Sequence, residues 1–254
     1  MREAVLTLES PDGEIRAHRA APPEGEPAPA VIVLQEAFGV DDHLRSVCRR
    51  LAREGYLAIA PELYHREGPG VTLGYGDFAL VRPHLARLDN AGIEADLKAT
   101  LAALASDPAV DGTRVAALGF CVGGFAALLA ACRTDVAAAV SFYGGGIVRE
   151  RPGMRLAPLL AETGDIRCPL LAFFGDADAS IPASDVAALG EALRARGKSF
   201  EIVSFPGAGH GFFNDARDTY RASAAADAWQ RTLAFLAENL DAADGPERRS
   251  PGTM

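Results

Sequence analysis

RVAALGFCVGGFAALLAAC, residues 114–132, is the stretch from which the rest of the chain is interpreted. Val115–Leu118 is a short apolar run followed by Gly119, and the residues after Cys121 are rich in alanine and leucine, which favour helix. The stretch therefore predicts a strand, a tight turn and a helix, with Cys121 on the turn. This pattern is typical of a nucleophile elbow, here with a thiol where most elbows carry a serine.

The glycines around Cys121 agree with such a turn. Gly119, Gly123 and Gly124 allow the close backbone approach that a strained elbow requires. The start of the helix lies behind the sulfur, and its unpaired N–H groups favour a thiolate or a developing oxyanion. The alternative is a buried cysteine on a glycine-rich turn, for example in a dinucleotide-binding loop. Because the glycines do not follow G-x-G-x-x-G, the dinucleotide interpretation is disfavoured.

Length, composition and charge exclude several classes of partner. The chain has 254 residues, 49% of them hydrophobic, which is enough for one large core. Its net charge is −9 and no basic face is evident, so we expect neither nucleic acid nor an anionic membrane as a partner. No apolar run approaches the roughly 20 residues needed to span a bilayer. We expect a small-molecule substrate and a monomer or small homo-oligomer.

The sequence predicts neither a metal site nor a cofactor. The cysteines are scattered, without a C-x-x-C pair, and indicate free thiols in a reducing cytoplasm. The N-terminal residues contain no apolar signal region, which also favours a cytoplasmic protein. Three cysteines are predicted to be packing residues: Cys48, Cys132 and Cys168. Four histidines are predicted at surface or loop positions without a metal role: His18, His43, His65 and His84.

Apolar runs and helical segments alternate along the chain. Strands are predicted at 2–8, 14–21, 30–34, 56–60, 115–118, 137–143, 169–174 and 200–205. Helices are predicted at about 42–54, 81–105, 122–132, 181–196 and 219–240, with a break in the second near Pro83 and Asn90–Gly92. Because the strands are apolar on both faces, the pattern predicts a mostly parallel central sheet with helices on both faces.

The same pattern predicts a single domain. Residues 1–240 are expected to form one α/β domain, in which 1–29 are an N-terminal hairpin and connector. The polar segment 241–254 is expected to be a flexible C-terminal tail. Residues 61–80 are predicted to be irregular, and the sequence alone leaves open whether they close over a site.

Polar residues follow four of the predicted strands. Glu36, Cys121, Asp176 or Asp178, and His210 all fall where ligands bind in such a sheet, beyond the C-terminal strand ends. Nucleophile, acid and histidine occur in the chain order of an α/β-hydrolase triad. In that role Cys121 attacks a carbonyl, His210 takes the thiol proton, and a carboxylate orients the imidazole.

Each of these assignments has an alternative. His210 lies in Gly-Ala-Gly-His-Gly, which suits a mobile base but also an ordinary exposed histidine. Asp178 is preferred as the acid because it lies farther from its strand and can face His210, whereas Asp176 can cap or pair locally. Glu36 directly follows a buried strand, where a carboxylate needs a partner. It can pair with an arginine for structure, or lie near the thiol and control its protonation.

The oxyanion of the reaction needs two backbone donors. The N–H groups of Ala37, after the first core strand, and Val122, after the nucleophile, are the natural pair in this fold.

Five stretches together resemble the dienelactone hydrolase family. They are QEAFGV (35–40), GYLAIAPELY (55–64), GFCVGG (119–124), GDADASIP (175–182) and PGAGHGF (206–212). The resemblance implies an α/β-hydrolase fold without a large lid and a triad of Cys121, His210 and Asp178. It also implies that Glu36 holds and releases the thiol proton.

The chain departs from this family at the substrate-binding arginines. Members proper bind the substrate carboxylate with two arginines, one of them four residues after the histidine, where this chain has Asn214. For the other, Arg82 is the nearest candidate, with Arg66 behind it, and Arg217 and Arg221 lie near the first position but outside the motif. The predicted substrate-binding residues are Phe38, Tyr75, Phe78, Arg82, Tyr143, Phe212 and Asn214.

The resemblance implies a carboxylic ester hydrolase that cleaves a small ester or lactone through an acyl-thiol intermediate, without a cofactor. Two alternatives are a general carboxylesterase or thioesterase of the same fold, and a ligand-binding or sensing protein on a hydrolase scaffold. The sequence does not identify the substrate or the resting protonation state of Cys121.

Overall fold

The computed structural model describes residues 1–76 and 78–240. The predicted tail, 241–254, lies outside the described residues. The strands are β1 (Arg2–Ser10), β2 (Gly13–Ala21), β3 (Ala28–Leu34), β4 (Leu57–Pro61), β5 (Val110–Phe120), β6 (Ala138–Phe142), β7 (Leu170–Gly175) and β8 (Phe200–Phe205). The helices are α1 (Asp42–Arg53), α2 (Phe78–Leu85), α3 (Asn90–Ser106), α4 (Val122–Arg133), α5 (Ala183–Ala195) and α6 (Ala222–Leu240). Two short 3-10 helices lie at His65–Glu67 and Leu160–Asp165.

The strands form one sheet in the order β1-β2-β4-β3-β5-β6-β7-β8. β1 pairs antiparallel with β2, and β2 pairs antiparallel with β4. All pairs from β4 to β8 are parallel, so the C-terminal ends of β3, β5, β6, β7 and β8 meet at one edge. The mostly parallel sheet flanked by helices, predicted from the apolar runs, is confirmed.

The core is deepest around β5 and α4. Every residue of β4, β6 and β7 is buried, as expected for central strands covered on both faces. Val122–Cys132 is buried throughout, which suits a helix that is hydrophobic on all sides. α4 packs on β3, β5 and β6, and α6 packs on β5, β6 and β7. The elbow therefore lies between two fully buried parts of the core, the end of β5 and the start of α4.

The irregular segment after β4 is tied to the loop after β3. Gly39 bridges to Thr72, and the N–H of Leu73 donates to the carbonyl of Phe38 over 2.9 Å. Gly39 has φ +85, and a Cβ there would lie 2.1 Å from the carbonyl oxygen of Val71, so only glycine fits. This contact brings the segment that contains Tyr75 over the end of β3.

The predicted helix at 81–105 is two helices, α2 and α3, and the break lies at 86–89, directly before the predicted region Asn90–Gly92 and not at Pro83. Pro83 lies inside α2. Gly92 lies in the first turn of α3, where its N–H donates to the Asp89 side chain over 2.9 Å. Asp89 is thus an N-cap, which starts a new helix immediately after a short connection.

The prediction that four histidines occupy surface or loop positions is wrong for three of them. His18, His43 and His65 are each only 8% exposed. His65 Nε2 lies 3.0 Å from Asp96 Oδ1, and the His43 ring packs edge-on against Phe120, 5.8 Å between centroids. Isolated polar residues can be buried when a distant segment supplies their partners, which local sequence does not reveal.

The three cysteines predicted as packing residues are buried and have free thiols: Cys48, Cys132 and Cys168. In the part of the chain that the structure describes, none of the helices combines the length and the apolar character needed to cross a bilayer.

Candidate active site

Cys121 lies on the turn between β5 and α4 in a strained backbone conformation. Its φ is 56° and its ψ is −116°, a region that non-glycine residues rarely adopt and that costs about 1–3 kcal/mol. The N–H of Cys121 donates to the Phe142 carbonyl over 3.0 Å, which ties the turn to the end of β6. A Cβ at Gly119 would lie 1.9 Å from the Gly123 carbonyl oxygen. The turn is therefore as tight as the sequence predicts, and it leaves the thiol partly exposed.

Gly123 brings the start of α4 against the end of β3. A Cβ at this position would lie 2.2 Å from the Leu34 carbonyl oxygen, so a larger residue would push the two elements apart. Val122 is the first residue of α4, where backbone N–H groups have no acceptor within the helix. On the β3 side, Gln35 Nε2 donates over 3.3 Å to the Glu36 carbonyl, which belongs to the peptide that carries the Ala37 N–H. The Tyr64 hydroxyl donates to the next carbonyl, that of Ala37, over 3.0 Å. The two predicted oxyanion donors, Ala37 and Val122, therefore belong to elements in direct contact.

His210 is held by Asp178. His210 Nδ1 lies 2.7 Å from Asp178 Oδ2, and the Asp178 side chain is 1% exposed. The other oxygen of Asp178 accepts from the Ser180 backbone N–H over 2.8 Å and from its hydroxyl over 2.6 Å. Asp176 accepts instead from the N–H of Gly207 over 2.6 Å. Of the two predicted acids, the structure brings Asp178 to the histidine and leaves Asp176 in a local turn contact.

The Cys121 thiol and the His210 imidazole form a coupled pair. Burial alone raises the pKa of the Cys121 thiol, but the charge and hydrogen bond of His210 outweigh it, so this pKa lies below its usual value. Burial lowers the pKa of His210, but Cys121 and Asp178 raise it more strongly, to about 10. Together the shifts favour a thiolate beside an imidazolium.

Glu36 is buried near the thiol and has its own partners. One oxygen accepts from Asn214 Nδ2 over 2.8 Å, and the other lies 3.4 Å from Arg217 Nη1. Burial and His210 have the largest effects on the pKa of Cys121. The negative charge of Glu36 has the next largest effect and raises this pKa. The two interpretations offered for Glu36, an arginine partner and proximity to the thiol, thus occur together. The Tyr143 hydroxyl also lies near Glu36 but forms no hydrogen bond of good geometry.

Three of the predicted substrate-binding residues form a group around Glu36. The Phe38 ring meets the Tyr75 ring edge-on at 4.6 Å between centroids. The Tyr75 hydroxyl donates to Asp41 Oδ2 over 2.5 Å and accepts from Asn214 Nδ2 over 3.2 Å. Burial and the Asp41 hydrogen bond raise the pKa of Tyr75, so its hydroxyl stays protonated. Phe38, Tyr75 and Asn214 therefore lie together beside the candidate nucleophile.

The other four predicted substrate-binding residues differ in position. Tyr143, which has φ 39°, packs against His210 with 5.1 Å between ring centroids. Phe212 is fully buried between Tyr143 and Phe205, so it supports the site by packing and is inaccessible to a substrate. Phe78 and Arg82 lie on the exposed side of α2.

The expectation that Phe78 and Arg82 bind substrate finds no support in the geometry. Phe78 is 50% exposed, and neither residue forms a hydrogen bond, ion pair or ring contact with the described site residues. The reason is that α2 directs Val81 and Leu85 into the core and leaves its other face in solvent.

Two residues of the site went unassigned in the sequence. Ser180 belongs to the GDADASIP stretch, and a hydroxyl two residues after the acid is a recognisable signal for a supporting contact. Arg217 lies outside any motif, so no local signal identifies it as the partner of Glu36. Among the described residues, no group of three or more histidine, cysteine, aspartate or glutamate side chains is arranged to hold a metal ion.

Comparison with known proteins places this geometry in a family. Residues 15–240 match the family model described as "Dienelactone hydrolase family". A Synechocystis protein named "Putative carboxymethylenebutenolidase" is 40% identical over 242 residues, covering 94% of this chain and 98% of that protein. A Bradyrhizobium protein named "Probable 2-oxo-3-(5-oxofuran-2-ylidene)propanoate lactonase" is 31% identical over 230 residues, covering 90% and 92% respectively.

A solved structure agrees with these sequence matches. The crystal structure of a "Putative Dienelactone Hydrolase" from Klebsiella pneumoniae superimposes with a TM-score of 0.87 at 37% identity, covering 93% of this chain and 98% of that one. The predicted α/β-hydrolase fold and the predicted class, a hydrolase, are thereby confirmed. The chain belongs to the dienelactone hydrolase family.

Proposed function

We propose that this hydrolase cleaves a small carboxylic ester or lactone through a covalent acyl intermediate on Cys121. The observation that carries the proposal is the chain of contacts from Cys121 to His210 and from His210 to Asp178, built on a strained elbow. Nucleophile, base and orienting carboxylate are the three parts of a nucleophilic triad.

In the first half of the reaction, the Cys121 thiolate attacks the carbonyl carbon of the substrate. The carbonyl oxygen becomes an oxyanion, which the N–H groups of Ala37 and Val122 can stabilise at the junction of β3 and α4. When the intermediate collapses, the carbon–oxygen bond to the leaving alcohol breaks, and His210 donates its proton to that oxygen. In a lactone this hydroxyl remains attached to the acyl group.

In the second half, water releases the product acid. His210, now neutral, takes a proton from a water molecule, which attacks the thioester carbonyl. The bond between carbon and sulfur breaks, and Cys121 leaves as a thiolate beside the reprotonated His210. The product is the free carboxylic acid, and no cofactor takes part in either half.

Glu36 acts in this proposal as an electrostatic control of the thiol. Its negative charge near Cys121 opposes the thiolate, whereas its bonds to Asn214 and Arg217 hold the carboxylate in place. Movement of the carboxylate when a ligand arrives would then change the reactivity of the sulfur. The family resemblance supports this role, in which the glutamate holds and releases the thiol proton.

The substrate class proposed is a lactone that carries a carboxyl group. One relative is named for carboxymethylenebutenolide and another for a furan-ylidene propanoate, and both names join a lactone ring to a carboxyl group. A second candidate, a broader ester or thioester substrate, is favoured by Asn214. This residue stands where the family resemblance implies a carboxylate-binding arginine, and it is fully buried against Glu36.

The test is hydrolysis of a small panel by the wild type and two variants. Carboxymethylenebutenolide, a nitrophenyl ester and an acyl thioester are assayed with the wild type, Cys121→Ala and Cys132→Ala. We expect Cys121→Ala to lose activity by about 10³-fold or more on every substrate that is turned over. Cys132→Ala, which removes a buried thiol far from the elbow, should stay within about twofold of the wild type.

The acyl intermediate is tested in the same series by acid quenching and intact mass measurement. A mass increase equal to the acyl group, present in the wild type and absent in Cys121→Ala, is expected with a slowly hydrolysed ester. Hydrolysis that survives in Cys121→Ala would refute the thiol mechanism. Turnover of esters without turnover of the lactone would favour the second substrate class.

A further inference from the structure

A cleft opens beside the triad, between the loop after β6 and the loop after β7. Its volume is about 210 Å³, and it lies between residues 144–152 and 179–189. This is smaller than the pockets that hold whole drug-sized ligands, so it suits one part of a small molecule. The side chains that form its apolar wall are Ile147, Val148, Phe174, Ile181, Pro182 and Leu189.

The cleft adjoins the triad through Ser180 and Gly144, whereas Cys121, His210 and Asp178 do not line it. Ser180 lines it, and the Ser180 hydroxyl lies 2.6 Å from Asp178 and 3.3 Å from His210 Nδ1. Gly144 lines the opposite wall and directly follows Tyr143, whose ring packs on His210. A substrate bound at Cys121 would reach this cleft by extending past the histidine, on the side where Nδ1 faces Ser180 and Asp178.

Arg151 lies in the wall of the cleft with its guanidinium fixed on the triad side. It packs over Gly145, where a Cβ would lie 2.2 Å from Nη2, and Nη2 donates to the Ser180 carbonyl over 2.8 Å. Burial and His210 are the main influences on the pKa of Cys121, and the Arg151 charge also lowers it. The guanidinium is therefore within electrostatic reach of the sulfur.

Arg151 has no anionic partner among the described residues, unlike Arg149 and Arg217. Arg149, on the same loop, pairs with Asp185, and Arg217 pairs with Glu36. Glu150 is exposed on the rim and forms no ion pair with Arg151 within residues 1–76 and 78–240. Of its five N–H donors, one, on Nη2, has an acceptor in the described part of the chain.

We propose that Arg151 binds a carboxylate of the substrate in this cleft and gives the enzyme a preference for anionic lactones and esters. The proposal rests on the proposed function, because it assigns a carboxylate subsite to the same acyl-transfer site. A guanidinium with free donors matches a carboxylate in charge and geometry, and the apolar wall accommodates the carbon atoms between carboxylate and ester. The positive charge that binds the carboxylate then comes from Arg151, on the loop after β6, and not from the position that Asn214 occupies.

The test compares a charged lactone with its neutral counterpart. Carboxymethylenebutenolide and its methyl ester, with nitrophenyl acetate as a small neutral substrate, are assayed with the wild type, Arg151→Gln, Arg151→Lys and Arg167→Gln. For Arg151→Gln we expect kcat/KM to fall about 10- to 100-fold more for the acid than for the methyl ester, mainly through KM. Arg151→Lys should recover part of the loss. Arg167 pairs with Asp135 on the exposed surface and does not line the cleft, so Arg167→Gln should change both substrates equally and by less than about threefold.

The preference ratio decides the proposal. An equal loss on charged and neutral substrates would mean that Arg151 acts only on the thiol or on loop structure, and would overturn it. If Arg151→Gln is fully active and the ratio of kcat/KM for the acid to that for the methyl ester is unchanged, the proposal is overturned as well. If the proposed function itself is wrong, the result differs: hydrolysis of nitrophenyl acetate would be absent in the wild type or would persist in the Cys121→Ala variant.

Binding of a dicarboxylate gives a readout that does not depend on turnover. Glutarate is titrated by calorimetry into the wild type and Arg151→Gln. Binding that is weakened about tenfold or more by the substitution supports the subsite even if no lactone is hydrolysed. Equal affinities, or no binding to the wild type, would count against it.

Discussion

Helix α4 carries a cysteine at each end, and the two thiols have opposite properties. Cys121 precedes the first turn, and its pKa lies below the usual value because His210 outweighs the effect of burial. Cys132 lies in the last turn, where burial and the carboxylates of Glu162 and Asp165 raise its pKa to about 12. The helix dipole acts in the same sense, since it favours negative charge at the N-terminus and opposes it at the C-terminus.

The difference shows that the thiol pKa depends on the side chains that lie at the C-terminal edge of the sheet, above all His210. Both cysteines share a helix and a hydrophobic core. Only Cys121 is placed where β5 ends beside β6, within reach of the loops that follow β7 and β8. Four changes of residue or condition test this contrast.

Removing the His210 imidazole should abolish the difference in reactivity between the Cys121 and Cys132 thiols. In His210→Ala, Cys121 loses the imidazole that we propose as its base, and with it the charge that lowers the thiol pKa. We expect kcat/KM for ester hydrolysis to fall about 10²–10⁴-fold. The pH midpoint of Cys121 alkylation by iodoacetamide should also rise toward that of Cys132. Steady-state kinetics and alkylation rates across pH measure the two effects, and activity within a few-fold of the wild type would contradict them.

A methyl group at position 123 should destabilise the N-terminal end of α4. Its Cβ would lie 2.2 Å from the Leu34 carbonyl oxygen, so Gly123→Ala is expected to lower the free energy of unfolding by about 2–4 kcal/mol. Gly190→Ala, within α5, is the control. There a Cβ would meet only Ile202 Cδ1 at 3.5 Å, and a gain of up to about 1 kcal/mol is expected. Urea unfolding compares the two; similar stabilities would show that α4 can shift away from β3.

Alkylation of the native wild type should separate the two thiols directly. At pH 7 we expect iodoacetamide to modify Cys121 at least about 10²-fold faster than Cys132, because only Cys121 is both partly exposed and lowered in its thiol pKa. Peptide mapping by mass spectrometry gives both rates. In concentrated urea the rates should become equal, and a large difference that persists there would assign the effect to local sequence.

The pH dependence of the free energy of unfolding should reveal that Cys121 and His210 titrate together. The ordinary pKa values are 9.0 for cysteine and 6.5 for histidine. Between these values the lowered thiol pKa and the raised imidazole pKa act on stability in opposite senses and offset each other. The stability that the lowered Cys121 pKa contributes is lost as pH falls through that lowered pKa. Above pH 9.0 the folded chain retains the proton on His210, and stability falls as pH rises through about 10.

This profile is measured by urea unfolding of the wild type and Cys121→Ala at pH 5, 7.5 and 9.5. The wild type should lose up to about 1 kcal/mol per pH unit on the acid side relative to the variant. A difference between the two proteins that is constant across pH would contradict a thiolate–imidazolium pair.

Much of the sheet edge could be predicted from local sequence. Apolar runs locate β3, β5, β7 and β8, and parallel strands bring their C-terminal ends together, so Glu36, Cys121, Asp178 and His210 could be expected to meet. The glycines of the elbow also have a local cause, since each marks a point of close backbone approach.

The partners that come from distant loops could not be predicted. Arg217 reaches Glu36, and Asn214 joins Glu36 to Tyr75, through the conformation of a loop that has no repeating pattern. The burial of His65 depends on Asp96 in α3, and the exposure of Arg82 depends on how α2 lies on the core. Such contacts are settled by tertiary packing, which a single sequence does not display.

The separation of Cys121 from its activating residues along the chain has a consequence for biosynthesis. The thiol emerges with β5, but Asp178 follows β7 and His210 follows β8. Before β8 has been made, His210 is absent, so Cys121 lacks the charge and the hydrogen bond that lower its thiol pKa. Completion of the sheet is therefore the step of folding that brings the thiol and the imidazole together.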